Sequence, residues 1–150
     1  MSLTRVILVD DFVPFRNWVR SVLQTRSGFQ IICELSDGLE AVARTEKIQP
    51  DLVILDIGLP KLNGIEAARK IRSLSPCSKI LFISVEKSPV IVAEALSLAA
   101  SGYLLKFDAA KELMIAVDAL MRGDRYISSS LAHCSDQRFP AFGGDEESKS

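Results

Sequence analysis

The sequence predicts an α/β fold, a five-stranded parallel sheet with helices on both faces. Two observations predict it: the alternation of strand-like and helix-like segments, and a length that fits one domain. Apolar runs of strand length alternate with segments of helical period five times along the 150 residues. Strands that alternate with helices run parallel, because each right-handed crossover lays its helix on one face of the sheet. A chain of this length also forms one domain and buries a core without disulfides or metal.

Each predicted strand is a short apolar run bounded by polar or turn residues. RVILV (5–9) opens the chain, and FQIICEL (29–35) and DLVIL (51–55) follow. KILFIS (79–84) and YLLK (103–106) complete the set. Runs of this length and composition are typical of buried strands.

Five helices are predicted between and after the strands. The first begins near Pro14, where a missing N–H does no harm, and the second ends at Pro50. The fourth, VIVAEALSLAA (90–100), is apolar nearly all round, which fits either deep core or an exposed contact face; we favour partner contact. The inward residues of the other four are predicted as Phe15, Trp18, Val19, Val22 and Leu23; Leu39, Val42 and Ala43; Ile65, Ala68, Ile71 and Leu74; and Leu113, Ala116, Val117 and Leu120.

The composition excludes several classes of function. Hydrophobic residues make up 48%, charged residues 25%, and the formal net charge is -1 at pH 7, so no basic excess indicates nucleic-acid binding by this chain. The apolar runs are far shorter than the roughly 20 residues of a membrane span, and the N-terminus leads directly into a strand rather than a signal peptide. We therefore expect a cytoplasmic protein. Three cysteines without CxxC spacing predict neither a disulfide framework nor a zinc site.

Polar residues end or directly follow four of the predicted strands, at the edge where a parallel sheet binds its ligands. They are Asp10, Asp11, Asp56, Ser84 and Lys106. Three carboxylates in one crevice repel one another unless a cation lies between them, and clustered oxygens suit Mg²⁺. A lysine and a hydroxyl stabilise phosphoryl oxygens, and an aspartate can serve as nucleophile.

Taken singly, these residues also fit duller interpretations. Asp10 or Asp11 suits a helix N-cap, and Asp56 suits a turn. Ser84 and Lys106 alone are ordinary surface residues. Only the whole set indicates a site.

The same residues carry a resemblance to a known family. VILVDD, LVILDIGLPKLNGIEAARKIR, ILFIS and SGYLLK resemble, in order and spacing, the receiver domain of two-component response regulators. GYLLKFDAAKELMIAVDALMRGDRYIS is most similar to the LuxR-type (NarL/FixJ-like) subfamily of transcriptional regulators. The resemblance implies a flavodoxin/CheY-like doubly wound (βα)5 fold with strand order 2-1-3-4-5, formed by a receiver domain over residues 1–127.

The resemblance also implies a phosphoacceptor and a metal site. Asp56 would take a phosphoryl group from a sensor histidine kinase, and the domain would catalyse only its own phosphorylation and dephosphorylation. Mg²⁺ would be held by Asp11, Asp56 and the backbone carbonyl of Gly58, with Asp10 acting through water.

A switch and a dimer are implied as well. Ser84 and Lys106 would stabilise the phosphoryl group, and Tyr103 would turn inward as the Ser84 hydroxyl moves toward the phosphate. Phosphorylation would then favour a homodimer through the fourth helix, the fifth strand and the fifth helix. No membrane partner is expected.

The sequence departs from the family pattern at three places. Val85 is β-branched where the family has a small residue, and is expected to slow phosphorylation. Phe107 follows the lysine where most receivers have proline, and we expect a trans bond there. Residues 128–150 are polar and Gly-rich, which predicts a disordered linker or tail, too short for a helix-turn-helix output domain.

Two interpretations therefore remain open. The chain is either the receiver of a transcriptional regulator whose DNA-binding half is absent from it, or a stand-alone receiver acting as a phosphorelay or interaction adaptor. A hydrolase of the haloacid dehalogenase type needs a second acid where Gly58 stands. Dinucleotide binding needs a GxGxxG after the first strand, which is absent.

Overall fold

The computed structural model describes residues 3–98 and 101–131. These residues form a parallel sheet of order β2-β1-β3-β4-β5-β6. The predicted fold class and the strand order 2-1-3-4-5 are confirmed. The strands are β1 (Thr4–Val9), β2 (Phe29–Leu35), β3 (Leu52–Leu55), β4 (Lys79–Ser84), β5 (Ser101–Leu105) and β6 (Tyr126–Ile127).

Helices cover both faces of the sheet. They are α1 (Val13–Leu23), α2 (Gly38–Ile48), α3 (Gly64–Leu74), α4 (Pro89–Leu96) and α5 (Ala109–Met121), with a 3-10 turn at Lys106–Asp108. One apolar cluster packs the sheet against α2, α3 and α4, and a second packs it against α1 and α5. β3 is buried on both faces, which is why its sequence is apolar throughout, whereas the edge strand β2 is only partly buried. None of the helices described is both long and apolar enough to cross a membrane.

The inward face of α2 differs from the prediction. Leu39 is 53% exposed and Ala43 is exposed, whereas Ala41 and Thr45 are buried. α2 begins at Gly38, after the Asp37 carboxylate that caps it by accepting from the Glu40 N–H at 2.8 Å, and its buried face consists of Gly38, Ala41 and Thr45. The prediction for Leu39 and Ala43 was therefore wrong, as was that for Leu74, which is 38% exposed at the end of α3.

The glycine that opens α2 fits a close approach. A Cβ on Gly38 would lie 1.8 Å from the carbonyl oxygen of Leu62, so only glycine fits without a shift. The Gly38 N–H also donates to the Pro60 carbonyl at 3.2 Å. The loop that follows β3 is thereby held against the start of α2.

The last described segment was not predicted as structure. β6 pairs with β5, and beyond it Ser128 is fully buried while Leu131 is 3% exposed. The predicted boundary at residue 127 therefore falls inside a packed segment. The rest of the predicted tail, 132–150, lies outside the described residues. In the fourth crossover, α4 ends at Leu96, earlier than the predicted 90–100.

Candidate functional site

Three predicted carboxylates meet at the carboxyl edge of the sheet. β1 and β3 are neighbours, so Asp10 and Asp56 follow adjacent strand ends. Asp10 and Asp56 are 5% and 9% exposed, and Asp11 is exposed. One oxygen from each of the three lies within 4.8 Å of the others, a spacing that can hold a metal ion.

Lys106 supplies the positive charge beside them. Its Nζ lies 2.9 Å from Asp10 Oδ2 and 3.7 Å from Asp56 Oδ2, with the side chain 17% exposed. The ammonium also lies 4.6 Å from the centre of the Phe15 ring, an arrangement that favours a cation. The 3-10 turn after β5 therefore delivers Lys106 across the pocket to two carboxylates at once.

The surroundings of Asp56 disfavour its ionised form. Burial raises the pKa of Asp56 above its ordinary value, and the neighbouring charge of Asp10 raises it further. Lys106 and the backbone N–H groups of Gly58 and Ile57 oppose this rise without cancelling it. Ionised Asp56 is thus disfavoured in the pocket, and a bound cation would relieve it.

The loop after β3 frames Asp56. The Gly58 N–H donates to Asp56 Oδ1 at 3.4 Å, and the Gly64 N–H donates to the Ile57 carbonyl at 2.7 Å. A Cβ on Gly64 would lie 2.0 Å from the Asp56 carbonyl oxygen, so the tight turn requires glycine there. Asn63 then caps α3 by accepting from the Ile65 and Glu66 N–H groups.

Sequence reasoning missed Arg16, which anchors the loop that carries Asp10. Its Nη1 donates to the Asp10 carbonyl at 2.9 Å, to the Leu35 carbonyl at 3.2 Å and to Ser36 Oγ at 2.8 Å. Its Nε pairs with Glu34 at 3.3 Å. The available signal was a lone basic residue between the inward-facing Phe15 and Trp18 positions of α1.

Ser84 and Tyr103 are joined through Glu86. The Ser84 hydroxyl accepts from the Glu86 N–H at 3.1 Å, and the Tyr103 hydroxyl donates to the Glu86 carbonyl at 2.8 Å. Tyr103 is fully buried, and burial raises the pKa of its phenol. The predicted switch pair is therefore connected here, with Tyr103 already turned inward.

A family model described as the response regulator receiver domain matches residues 6–118 of the chain. The chain belongs to this family. The resemblance stated from the sequence is confirmed, including its LuxR-type character. This receiver is 32% identical over 146 residues to the transcriptional regulatory protein DegU of Brevibacillus brevis, a match over 97% of this chain and 62% of that protein. The chain thus spans less than two thirds of that relative's length.

Solved receivers agree with the fold. A LuxR-family response regulator from Aurantimonas is 32% identical, with a TM-score of 0.82 over 88% of this chain and 94% of that one. The signal receiver domain of the NarL regulator from Mycobacterium tuberculosis is 31% identical, with a TM-score of 0.76 over 82% of this chain and 99% of that one.

Apolar side chains lie exposed next to the pocket residues of this receiver. Val85, directly after Ser84, is 75% exposed, and Phe107, directly after Lys106, is 86% exposed. Phe12, directly after Asp11, is 59% exposed. The Lys106–Phe107 bond is trans, as predicted.

Proposed function

We propose that this receiver accepts a phosphoryl group on Asp56, with Mg²⁺ bound beside it, and so acts as the phosphorylated switch of a LuxR-type regulator. The observation that carries the proposal is the cluster of Asp10, Asp11 and Asp56 within 4.8 Å, with Lys106 Nζ 2.9 Å from one carboxylate and 3.7 Å from another. Carboxylates and an ammonium in this arrangement suit phosphoryl transfer, which depends on positioning and charge more than on covalent machinery.

The residues of the cluster fit Mg²⁺. They offer only hard oxygen donors, which this ion prefers, and the pKa of Asp56 is raised by burial and by the charge of Asp10, both of which a bound cation would oppose. Asp11, Asp56 and the Gly58 carbonyl would hold the ion directly, and Asp10 through water. When bound, Mg²⁺ neutralises charge on the carboxylates and on the phosphoryl oxygens.

The transfer is a displacement at phosphorus. A carboxylate oxygen of Asp56 forms the new O–P bond as the N–P bond of a phosphohistidine breaks, and the electron pair stays on the departing imidazole nitrogen, which takes up a proton. With acetyl phosphate the bond that breaks is O–P, and acetate leaves. Lys106 and the Ser84 hydroxyl stabilise the oxygens of the transferred group.

Dephosphorylation is a second displacement at phosphorus, assisted by the same groups. Water attacks the phosphorus, the bond to Asp56 breaks, and inorganic phosphate leaves. The receiver therefore catalyses its own modification and acts on no further substrate. The donor is a sensor histidine kinase, and the cytoplasm is where we expect the two proteins to meet.

The output belongs to a longer protein. DegU is named a transcriptional regulatory protein and this chain covers 62% of it, so we propose that a DNA-binding domain follows the receiver in the full regulator. The proposed dimer face of α4, β5 and α5 is partly covered by the chain itself. β6 pairs with the edge of β5, and Leu131 joins the apolar cluster of α4 and Tyr103. Dimerisation there would require this segment to move.

The test is labelling with acetyl phosphate, followed by intact mass measurement. We expect wild type to gain one phosphoryl group with Mg²⁺ and none without it, and Asp56→Asn to gain none in either condition. The matched control is Asp124→Asn, which alters an exposed aspartate paired with Arg122. Labelling of Asp56→Asn, or an unlabelled wild type in Mg²⁺, would contradict the proposal.

Val85 supplies a second arm of this test. Replacement by a smaller residue, Val85→Ala, is expected to raise the labelling rate if the β-branched side chain narrows access to Asp56. An unchanged rate removes that explanation.

A further inference from the structure

The segment Tyr126–Leu131, here called the strap, lies against β5 and the start of α5. Gly102 and Tyr103 pair with the two residues of β6, and the Ser128 N–H donates to the Tyr103 carbonyl at 2.8 Å. Leu131 is buried in the apolar cluster that also contains Tyr103. The strap is thus the last described part of the path from the receiver toward whatever follows it in the chain.

Asp108 fixes the middle of the strap. Its carboxylate is 7% exposed and accepts hydrogen bonds from the Ser128 hydroxyl, from the Ser130 N–H at 3.2 Å and from the Ser130 hydroxyl at 2.9 Å. A buried carboxylate is tolerated only where donors surround it, and here the strap supplies them.

Glu112, one turn further along α5, repeats the arrangement. It is also 7% exposed and accepts from the Tyr126 hydroxyl at 2.6 Å, from the Ser129 N–H at 3.0 Å and from the Ser129 hydroxyl. Two buried carboxylates therefore fix one short segment. A solvated linker would not be expected to donate hydrogen bonds to both Asp108 and Glu112.

The strap also brackets Lys106. On one side, the Leu105 N–H donates to the Ser128 hydroxyl at 3.2 Å. On the other, Asp108 closes the 3-10 turn that begins at Lys106. The strap is therefore bonded to the backbone immediately before Lys106 and to the side chain two residues after it, as well as to the backbone of Tyr103.

We propose that the strap is a latch held by Asp108 and Glu112, and that phosphorylation of Asp56 loosens it. The inference rests on the proposed function. Lys106 Nζ lies nearer Asp10 than Asp56, so pairing with a phosphoryl group on Asp56 moves the lysine and with it the turn that carries Asp108. The strap then loses bonds at Ser128 and Ser130, and the signal leaves the domain through its own C-terminal segment.

The coupling between the strap and the phosphoryl site is reciprocal. Coupling between two sites is reciprocal, so a change that loosens the strap must strengthen binding of the phosphoryl group or its mimic. A strap with only a structural role makes no such connection. This difference is what the experiment measures.

The experiment is hydrogen exchange on the full 150-residue chain, with and without beryllofluoride and Mg²⁺. We expect the amides of the strap, including those of Ser128 and Ser130, to exchange about tenfold faster with the mimic, within the usual range of coupling between sites. The amides around Asp56 and Ser84 should become more protected. Unchanged or slower exchange in the strap, with a response around Asp56, overturns the latch alone. No response anywhere overturns the proposed function and the latch together.

Two variants and a control complete the design. Ser128→Ala and Ser130→Ala each remove a hydroxyl that bonds to Asp108, and we expect each to lower the beryllofluoride concentration for half-saturation about fivefold. Ser21→Ala removes an exposed hydroxyl bonded only within α1 and should leave it unchanged. If both strap variants match Ser21→Ala, or weaken the binding, the latch is overturned.

Discussion

Two groups of buried carboxylates lie beside the carboxyl end of the sheet, in opposite surroundings. Asp10 and Asp56 face each other with one lysine between them, and the pKa of Asp56 lies above its ordinary value because burial and the charge of Asp10 outweigh Lys106. Burial also raises the pKa of Asp108, but hydrogen bonds from Ser128 and Ser130 outweigh it, so that pKa lies below its ordinary value. Asp108 is thus stabilised in its ionised form by donors from the strap, whereas Asp56 is disfavoured as an anion by burial and by a like charge.

The largest expected effect on stability tests the donor-rich group. Asp108→Asn removes a charge that accepts three hydrogen bonds from the strap, and we expect it to lower the free energy of unfolding by about 2 kcal/mol at pH 7. Urea unfolding measures this. Asp124→Asn, at an exposed ion pair, should change it by less than about 0.5 kcal/mol. Equal effects of the two variants would mean that the hydrogen bonds to Asp108 add no more stability than an exposed ion pair.

The pH dependence of that difference gives a second measurement. The folded-state pKa of Asp108 lies below the ordinary 3.8, so its contribution to stability is present above 3.8 and is lost as the pH falls through the folded value. We therefore expect the gap between wild type and Asp108→Asn to be constant near neutrality and to close in strong acid. A gap that stays open there would assign the effect to packing instead.

Arg16 offers the next effect in size. Arg16→Met keeps the length of the stem but leaves the carbonyls of Asp10 and Leu35 without their shared donor, and we expect a loss of about 1 to 2 kcal/mol. We also expect weaker Mg²⁺ binding by the variant in isothermal calorimetry, since the loop that carries Asp10 and Asp11 is less fixed. Wild-type metal affinity in a destabilised variant would limit Arg16 to a structural role.

Asp56→Asn should have the opposite sign. It removes one of the facing charges of the donor-poor group, and in EDTA we expect a gain of about 1 kcal/mol, measured by urea unfolding. Because the folded pKa of Asp56 is raised, its ionised form costs stability at neutral pH, and the gain should shrink as the pH falls toward 3.8. A loss of stability on substitution would mean that Lys106 outweighs Asp10.

The smallest effect concerns the phase of α2. Leu39→Gln changes a residue that is 53% exposed, and we expect less than about 0.5 kcal/mol. As a contrasting substitution on the buried face, Ala41→Leu places a larger side chain at a fully buried position, and we expect a loss of about 1 kcal/mol. Thermal unfolding of the two variants distinguishes the observed face from the predicted one.

The strands and the pocket could be predicted from the sequence, but other parts of the fold could not. The strands were predictable because long apolar runs report burial directly, and the pocket followed because Asp10, Asp56 and Lys106 stand at strand ends that a parallel sheet brings to one edge. The buried face of α2 was not, because Gly38, Ala41 and Thr45, which form it, are small or polar and give no clear apolar pattern. Arg16 was missed because its partners, two backbone carbonyls and the side chains of Ser36 and Glu34, come next to α1 only in the folded chain.

The strap was the least predictable part. β6 is two residues long, too short for any periodicity, and a run of serines is typical of a solvated linker. Its burial depends on Asp108, 20 positions before Ser128. A polar segment is buried only where acceptors from distant residues complete its hydrogen bonds. Those contacts can be seen in the fold and not in the sequence.

The pairing of β6 with β5 also protects the edge of the sheet. Without Tyr126 and Ile127, the backbone groups of Gly102 and Tyr103 that pair with them would form an open sheet edge, and open edges recruit strands from other molecules. The two residues of β6 therefore cover an edge of the sheet that would otherwise be open to pairing. A chain cut before Tyr126 would expose it, so a soluble fragment of this receiver has to keep the residues that a boundary drawn at the end of α5 would discard.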